Sequence, residues 1–112
     1  MWNCKTLVVV FSFVITVQAW GACPGDTQAE MNECSMEDFN NTNAELNIVY
    51  RRLTKTPQLI AAERAWITYR DAECRSQSAV YEGGSMQPLV ISLCLTELTR
   101  QRIKVLKSYE DE

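Results

Sequence analysis

Cysteine content constrains this chain more than any other feature. Four cysteines follow an apolar N-terminal segment: Cys23, Cys34, Cys74 and Cys94, while Cys4 precedes it. An even number of cysteines in a small exported domain is typical of a disulfide framework, because such a domain buries only a modest core. The chain has no histidine and no CxxC spacing, which disfavours a zinc site or a thioredoxin-type centre. We therefore predict two structural disulfides, with no metal or other cofactor.

The first 19 residues are predicted to be a cleaved signal peptide. Lys5 gives a short positive region, residues 6–17 are mostly apolar, and Ala19 is the small residue before the expected cleavage site. Because the apolar run is too short to span a bilayer, it is better explained as a removed leader than as a membrane helix.

Two alternatives concern the start of the mature domain. Cleavage as late as residue 22 also fits, and a lipoprotein would carry its acyl chain on Cys23. Residues 20–22, Trp-Gly-Ala, lack the Leu that is usual in a lipobox. We therefore expect no membrane anchor and assign residues 23–112 to one periplasmic or secreted helical domain.

Charge limits the partners of this domain. Loss of Lys5 with the leader leaves ten basic and fourteen acidic residues, a net charge of −4, which disfavours nucleic acid as a partner. Residues 26–45 hold six acidic residues and no basic ones, and residues 100–107 hold four basic ones. Helix-end preferences explain part of this pattern, but an acidic surface would also attract a basic protein.

Hydrophobic periodicity predicts an all-α fold, and its first helix has a weak middle. Thr27 and Glu30 form a capping box at the start of a helix that runs toward Leu53. Residues 40–43, Asn-Asn-Thr-Asn, are poor helix formers, and Thr42 opens a second capping box. The element is therefore one helix or two segments with a break near residues 40–42.

Two further helices are predicted over residues 58–80 and 86–109. Thr56 and Pro57 open the first of these, paired glycines end it, and Ser85 is expected to cap the next. Since the turns are short, the three helices should form an up-down-up bundle.

Counting residues from the turns places three of the cysteines, Cys34, Cys74 and Cys94, at nearly the same height in this bundle. Cys23 precedes the first helix and is expected to fold back along it. All three pairings of four cysteines stay open, and we favour Cys34–Cys94 with Cys23–Cys74.

Arg70 is the charged residue that most needs an explanation. It follows Trp66 by four positions, so both side chains lie on one inward-facing stripe of the second helix. A buried charge needs a partner, and counting suggests Asp38 or Glu97. The alternative is that Arg70, together with Asp71, faces a ligand or a partner protein.

Four stretches of the chain resemble the LprI-like lysozyme-inhibitor family of small exported bacterial proteins. They are Thr-Gln-Ala-Glu-Met-Asn-Glu-Cys at 27–34, Ala-Glu-Leu-Asn-Ile-Val-Tyr at 44–50 with Leu53, Arg-Ala-Trp-Ile-Thr-Tyr-Arg-Asp-Ala-Glu-Cys at 64–74, and Gly-Gly-Ser at 83–85 followed by Cys-Leu at 94–95 and Thr-Arg-Gln-Arg at 99–102. The resemblance implies an all-helical, disulfide-linked domain of the bacterial envelope. It also implies inhibition of lysozyme-type muramidases, and hence a protein partner.

A turn between the second and third helices is the candidate for contact with that partner. It contains Tyr81, Glu82, Gly83, Gly84 and Ser85, and so offers a narrow segment with hydroxyl groups and bare backbone amides. Such a segment could fill the cleft in which lysozymes hold two carboxylates. The alternative is that the two glycines merely end a helix.

Two other classes of function are an interaction protein with a different target and an enzyme. The same scaffold would serve an envelope interaction or immunity protein whose target is a different periplasmic toxin. Catalysis is not expected, because without histidine the chain lacks the usual general base at neutral pH.

Overall fold

The domain is a bundle of three α-helices. The computed structural model describes residue 23 and residues 25–111, so the predicted leader lies outside the described residues. The helices are α1 (Gln28–Arg52), α2 (Pro57–Ser78) and α3 (Gln87–Glu110), and a single 3-10 turn (Ala79–Tyr81) follows α2. No strand occurs among the described residues, and the all-α prediction is confirmed.

Side-chain caps begin the first two helices where the sequence predicts. The hydroxyl of Thr27 accepts a hydrogen bond from the backbone N–H of Glu30 at 3.1 Å, and the Glu30 carboxylate accepts one from the N–H of Asp26 at 2.9 Å. The hydroxyl of Thr56 accepts from the N–H of Leu59 at 3.1 Å. Each cap binds a donor that the first helical turn leaves without an intrahelical partner.

Of the two alternatives left open for the first helix, the unbroken one is observed, because α1 is one continuous helix of 25 residues. Thr42 does not cap a second segment; its hydroxyl donates to the carbonyl oxygen of Asp38, four residues earlier, at 2.8 Å. Ser35, Thr42 and Leu46 are all buried along the same helix. Tertiary packing on both sides of the weak stretch therefore outweighs its poor helix propensity.

The third helix occupies the centre of the bundle, since α1 and α2 both pack against it. The apolar core lies toward the α1–α2 turn and consists of Leu46, Val49, Leu53, Ile103 and Leu106. Tyr50, Leu59 and Trp66 are partly buried against this core. Trp66 is therefore an inward-facing residue, as predicted, although it is not fully enclosed.

The opposite half of the bundle is filled with small polar residues. Its buried members are Ser35, Thr42, Ser78, Ser92, Thr96 and Thr99. Small side chains allow helices to approach closely but bury little apolar area. This half therefore gains less from the hydrophobic effect, and the two disulfides lie there.

The disulfides are Cys23–Cys34 and Cys74–Cys94, so the pairing favoured from sequence is wrong. Counting residues from the turns correctly predicts that Cys74 on α2 and Cys94 on α3 lie at the same level along the bundle, where they form a disulfide. The same counting does not give the direction in which the Cys34 side chain points. Its neighbour Ser35 is fully buried, and adjacent residues of a helix point about 100° apart. Cys34 therefore points to the edge of the bundle, where residue 23 reaches it.

None of the helices described here is both long and apolar enough to cross a membrane.

Candidate functional site

The α2–α3 turn is a structured projection rather than a loose loop. The N–H of Glu82 donates to the carbonyl of Ala79 at 3.2 Å, and that of Gly84 donates to the carbonyl of Tyr81 at 2.9 Å. Gly83 has a φ of 76°, a backbone conformation in which glycine is strongly favoured. These bonds hold the turn in a defined shape before any partner arrives.

Two of the amides expected to be bare are already bound. The N–H of Gly83 donates to the side-chain oxygen of Gln87 at 3.1 Å, and the N–H of Gly84 is used within the turn. Ser85 was expected to cap α3, but the N-cap is Met86, which makes no side-chain capping bond. The turn therefore presents side chains, not a row of free amides.

One hydrogen bond fixes the turn to the start of α1. The side-chain amide of Asn32 donates to the carbonyl of Ser85 at 2.9 Å, and Asn32 in turn accepts from the side chain of Gln28 at 2.8 Å. The turn consequently lies at the same end of the bundle as the acidic first half of α1. The predicted up-down-up order places these two features at one end of the bundle, and this hydrogen bond joins them directly.

The turn is exposed, and apolar side chains flank its tip. Val80 is 83% exposed, Met86 43% and Tyr81 40%, and Glu82 is also exposed. These three large apolar side chains lie within seven residues of one another, and each offers apolar area that would leave water on contact with another molecule. The turn residues Tyr81–Ser85 thus form a solvent-accessible convex feature.

Arg70 is buried, with 8% of its surface exposed, and its partners differ from those predicted. Its Nε donates to Asp71 at 3.0 Å, while Nη1 donates to Asn43 at 3.2 Å and to Thr99 at 3.4 Å. Neither Asp38 nor Glu97 takes part, because residue counting gives height along a helix but not the direction of a side chain. The carboxylate beside Arg70 comes from its own helix.

Aromatic rings complete the surroundings of this guanidinium. Its central carbon lies 5.3 Å from the centre of the Phe39 ring and 5.1 Å from that of Trp66. Cation–π contacts of this kind are stronger where water is excluded. Arg70 is therefore held by groups from all three helices.

Arg70 and Asp71 line a groove between α1 and α2 that has α3 as its floor. In this part of the groove the other lining residues are Phe39, Cys74, Arg75, Ile91 and Leu95. The groove continues toward the turn between α1 and α3, where it is lined by Met36, Phe39, Asn40, Gln87, Pro88, Ile91, Ser92 and Leu95. The residues shared by both parts, Phe39, Ile91 and Leu95, show that the two parts are contiguous.

The predicted site residues therefore form two groups. Arg70 precedes the end of α2 at Ser78 by eight residues, which corresponds to about 12 Å along the helix. The turn and the Arg70–Asp71 pair are consequently separate features, linked by the groove that runs between them.

A buried ion pair between α2 and α3 was missed from sequence. Nε of Arg102 on α3 donates to Glu63 on α2 at 2.9 Å, and the two side chains are 11% and 8% exposed. The Arg102 guanidinium also lies 5.8 Å from the centre of the Trp66 ring. Glu63 precedes Arg70 by seven positions on one helical face, and this spacing is the signal that could have marked it as inward-facing.

One group of potential metal ligands occurs in the described part of the chain, and two of its three members form a disulfide bond. Cys23, Cys34 and Asp38 lie together, with the Asp38 carboxylate 3.4 Å from the sulfur of Cys23. Because the two sulfurs are bonded to each other, neither is available as a thiolate ligand.

Comparison with known proteins identifies the family of this helical, doubly cross-linked domain. Residues 21–106 match the family described as "Lysozyme inhibitor LprI". The chain belongs to the LprI family of lysozyme inhibitors. This match covers both disulfides, the groove and the exposed turn, and it confirms the resemblance seen in the sequence.

A relative in Rhizobium meliloti (strain 1021) is 36% identical over 100 residues, and the match covers 72% of this chain and 72% of that protein. The relative is described as an uncharacterized protein. No solved structure gives a significant match. Membership of the LprI family therefore implies a general activity, lysozyme inhibition through a protein partner. The exposed turn and the groove are the features that bear on the mechanism of inhibition.

Proposed function

We propose that this LprI-family protein is exported to the bacterial envelope and inhibits a lysozyme-type muramidase by placing the α2–α3 turn in the substrate cleft of that enzyme. The observation that supports this most is the turn itself, an ordered and exposed projection on a domain of an inhibitor family. In this proposal the protein acts by binding and carries out no reaction of its own.

The shape and the order of the turn suit this role. A lysozyme cleft is concave and is closed by a convex segment, and Val80 and Tyr81 supply apolar area that leaves water on contact. The hydroxyls of Tyr81 and Ser85 are donors for the two carboxylates that lysozymes use. Since hydrogen bonds to Gln87, Tyr81 and Asn32 already fix the turn, little conformational entropy is lost on binding.

Electrostatics favours the same partner. Animal-type lysozymes are commonly basic, and the acidic half of α1 lies at the end of the bundle that carries the turn. Complementary charge accelerates association and orients the two proteins as they meet. The domain would therefore approach such an enzyme with its turn foremost.

A pair of double variants tests the role of the turn. Val80→Ser/Tyr81→Ser removes apolar side chains from the projection, whereas Ile48→Ser/Val105→Ser removes side chains of 44% and 43% exposure elsewhere. Inhibition is measured as the rate at which a muramidase lyses cell-wall substrate. We expect the turn variant to raise the inhibition constant at least about tenfold and the control variant less than about twofold.

Two outcomes would contradict the proposal. Equal effects of the two variants would place the binding surface elsewhere on the domain. Failure of the unaltered oxidised domain to slow any muramidase in a panel would favour the other candidate, an immunity protein against a different periplasmic toxin.

Cell fractionation, with the mature N-terminus determined by sequencing, tests export and the expected loss of the leader.

A further inference from the structure

The groove between α1 and α2 is a second concave surface with its own chemistry. Its apolar lining consists mainly of Phe39 on α1 and of Ile91 and Leu95 on the α3 floor. One wall is cationic, because Arg70 and Arg75 line it beside a single carboxylate, Asp71. On a domain with a net negative charge, this wall is a local exception.

Arg70 retains binding capacity within this groove. Its side chain is only 10% exposed, and Nε and Nη1 are engaged by Asp71, Asn43 and Thr99. Among the described residues, Nη2 has no hydrogen-bond partner, although Arg70 lines the groove. A guanidinium that is fixed on two of its nitrogens is pre-oriented to bind a carboxylate with the third.

The acidic residues of α1 do not contribute to the groove. Glu30, Glu33 and Glu37 follow one another at three- and four-residue spacing and therefore share a stripe of the helix. The groove is instead lined on α1 by Met36, Phe39 and Asn40. Attraction of a basic partner and recognition within the groove consequently use different faces of the same helix.

The groove reaches the base of the turn. Gln87 lines the end of the groove nearest the turn and also accepts the hydrogen bond from the N–H of Gly83. An enzyme whose cleft receives the turn therefore has its rim next to this end of the groove. Since the turn is convex and the groove is concave, the two surfaces are occupied by different parts of that enzyme.

We infer that the groove receives a protruding segment from the rim of the same muramidase, one that carries an apolar side chain and, next to it, a carboxylate. The apolar side chain lies on Phe39, Ile91 and Leu95, and the carboxylate binds Arg75 and the free Nη2 of Arg70. This inference rests on the proposed function and adds a second contact that contributes to the choice of target.

Charge reversal at matched arginines tests the polar half of the inference. Arg75 and Arg100 are both exposed helical residues, but only Arg75 lines the groove. Arg75→Glu and Arg100→Glu change the net charge equally, so they alter long-range attraction by a similar amount. We expect Arg75→Glu to weaken binding of the muramidase at least about tenfold and Arg100→Glu less than about threefold.

Obstruction of the groove tests the apolar half. Asn40 lines the groove whereas its neighbour Asn41 does not, and both are exposed. Asn40→Trp should fill the groove and weaken binding by a similar factor, and Asn41→Trp should leave binding within about twofold. Circular dichroism and thermal unfolding of all four variants check that each is folded.

The outcomes separate this inference from the proposed function. If the unaltered domain inhibits and the turn variant does not, but Arg75→Glu matches Arg100→Glu and Asn40→Trp matches Asn41→Trp, the groove inference is overturned and the proposed function stands. If the unaltered domain inhibits no muramidase, both are overturned.

Discussion

Arg70 is a charged side chain around which the three helices are organised. It reaches Asn43 on α1, Asp71 on α2 and Thr99 on α3, and it lies over the ring of Phe39. The need for a partner was predictable, since a buried guanidinium must be compensated. The identity of the partners was not, because it depends on how far each helix is rotated about its axis.

Substitution of Glu63 is predicted to lower stability, because it breaks the buried ion pair with Arg102. Glu63→Leu leaves Arg102 buried without its carboxylate and should lower the free energy of unfolding by about 3–5 kcal/mol. The double variant Glu63→Leu/Arg102→Leu removes both charges and should recover much of that loss. Urea unfolding followed by circular dichroism measures both, and a double variant less stable than the single one would contradict the prediction.

At the scale of the helix, α1 shows tertiary packing overriding local preference. Its beginning was predictable because Thr27 and Glu30 act locally, on backbone groups within four residues. The continuity of its middle was not predictable, since residues 40–43 have poor helix propensity. Buried Thr42 and Leu46 hold this stretch against the rest of the bundle.

This explanation predicts the effect of an exposed substitution in the weak stretch. Asn41→Ala should stabilise the domain by about 0.5 kcal/mol, because alanine favours the helix more than asparagine does and the site is exposed. Thermal unfolding of the oxidised domain measures the change. A loss of stability would indicate that Asn41 serves as a cap at a break, contrary to the continuous helix.

The whole molecule divides into two halves that are stabilised differently. Toward the α1–α2 turn, an apolar core is formed by residues such as Leu46 and Leu106. Toward the α2–α3 turn, small polar residues and the two disulfides replace it. The proposed binding surface thus lies where covalent bonds supplement a weak core, an arrangement typical of small exported domains.

The uneven charge distribution of the whole molecule predicts how its association with a muramidase depends on salt. If the acidic end attracts a basic muramidase, the association rate constant should fall as ionic strength rises from about 0.01 M to about 0.1 M, because the Debye length shortens from about 30 Å to about 10 Å. The dissociation rate constant should change much less. A triple variant, Glu30→Gln/Glu33→Gln/Glu37→Gln, should associate more slowly and respond less to salt in stopped-flow measurements.

The control for this prediction removes the same number of charges elsewhere. Glu97→Gln/Glu110→Gln/Asp111→Asn changes exposed carboxylates of α3 and the residue that follows it. It should retain most of the association rate and most of the salt dependence. Equal effects of the two triple variants would show that only net charge matters and that the acidic end has no special role.

The sequence by itself determined the all-helical class, the limits of the three helices to within about two residues, the number of disulfides and the LprI family. Each of these depends on local spacing, capping or composition, which act over a few residues. Only the tertiary structure decided the cysteine pairing, the partners of Arg70, the Glu63–Arg102 pair and the groove that links the turn to Arg70. These depend on the rotation and separation of packed helices, which are set by contacts between residues far apart in the chain.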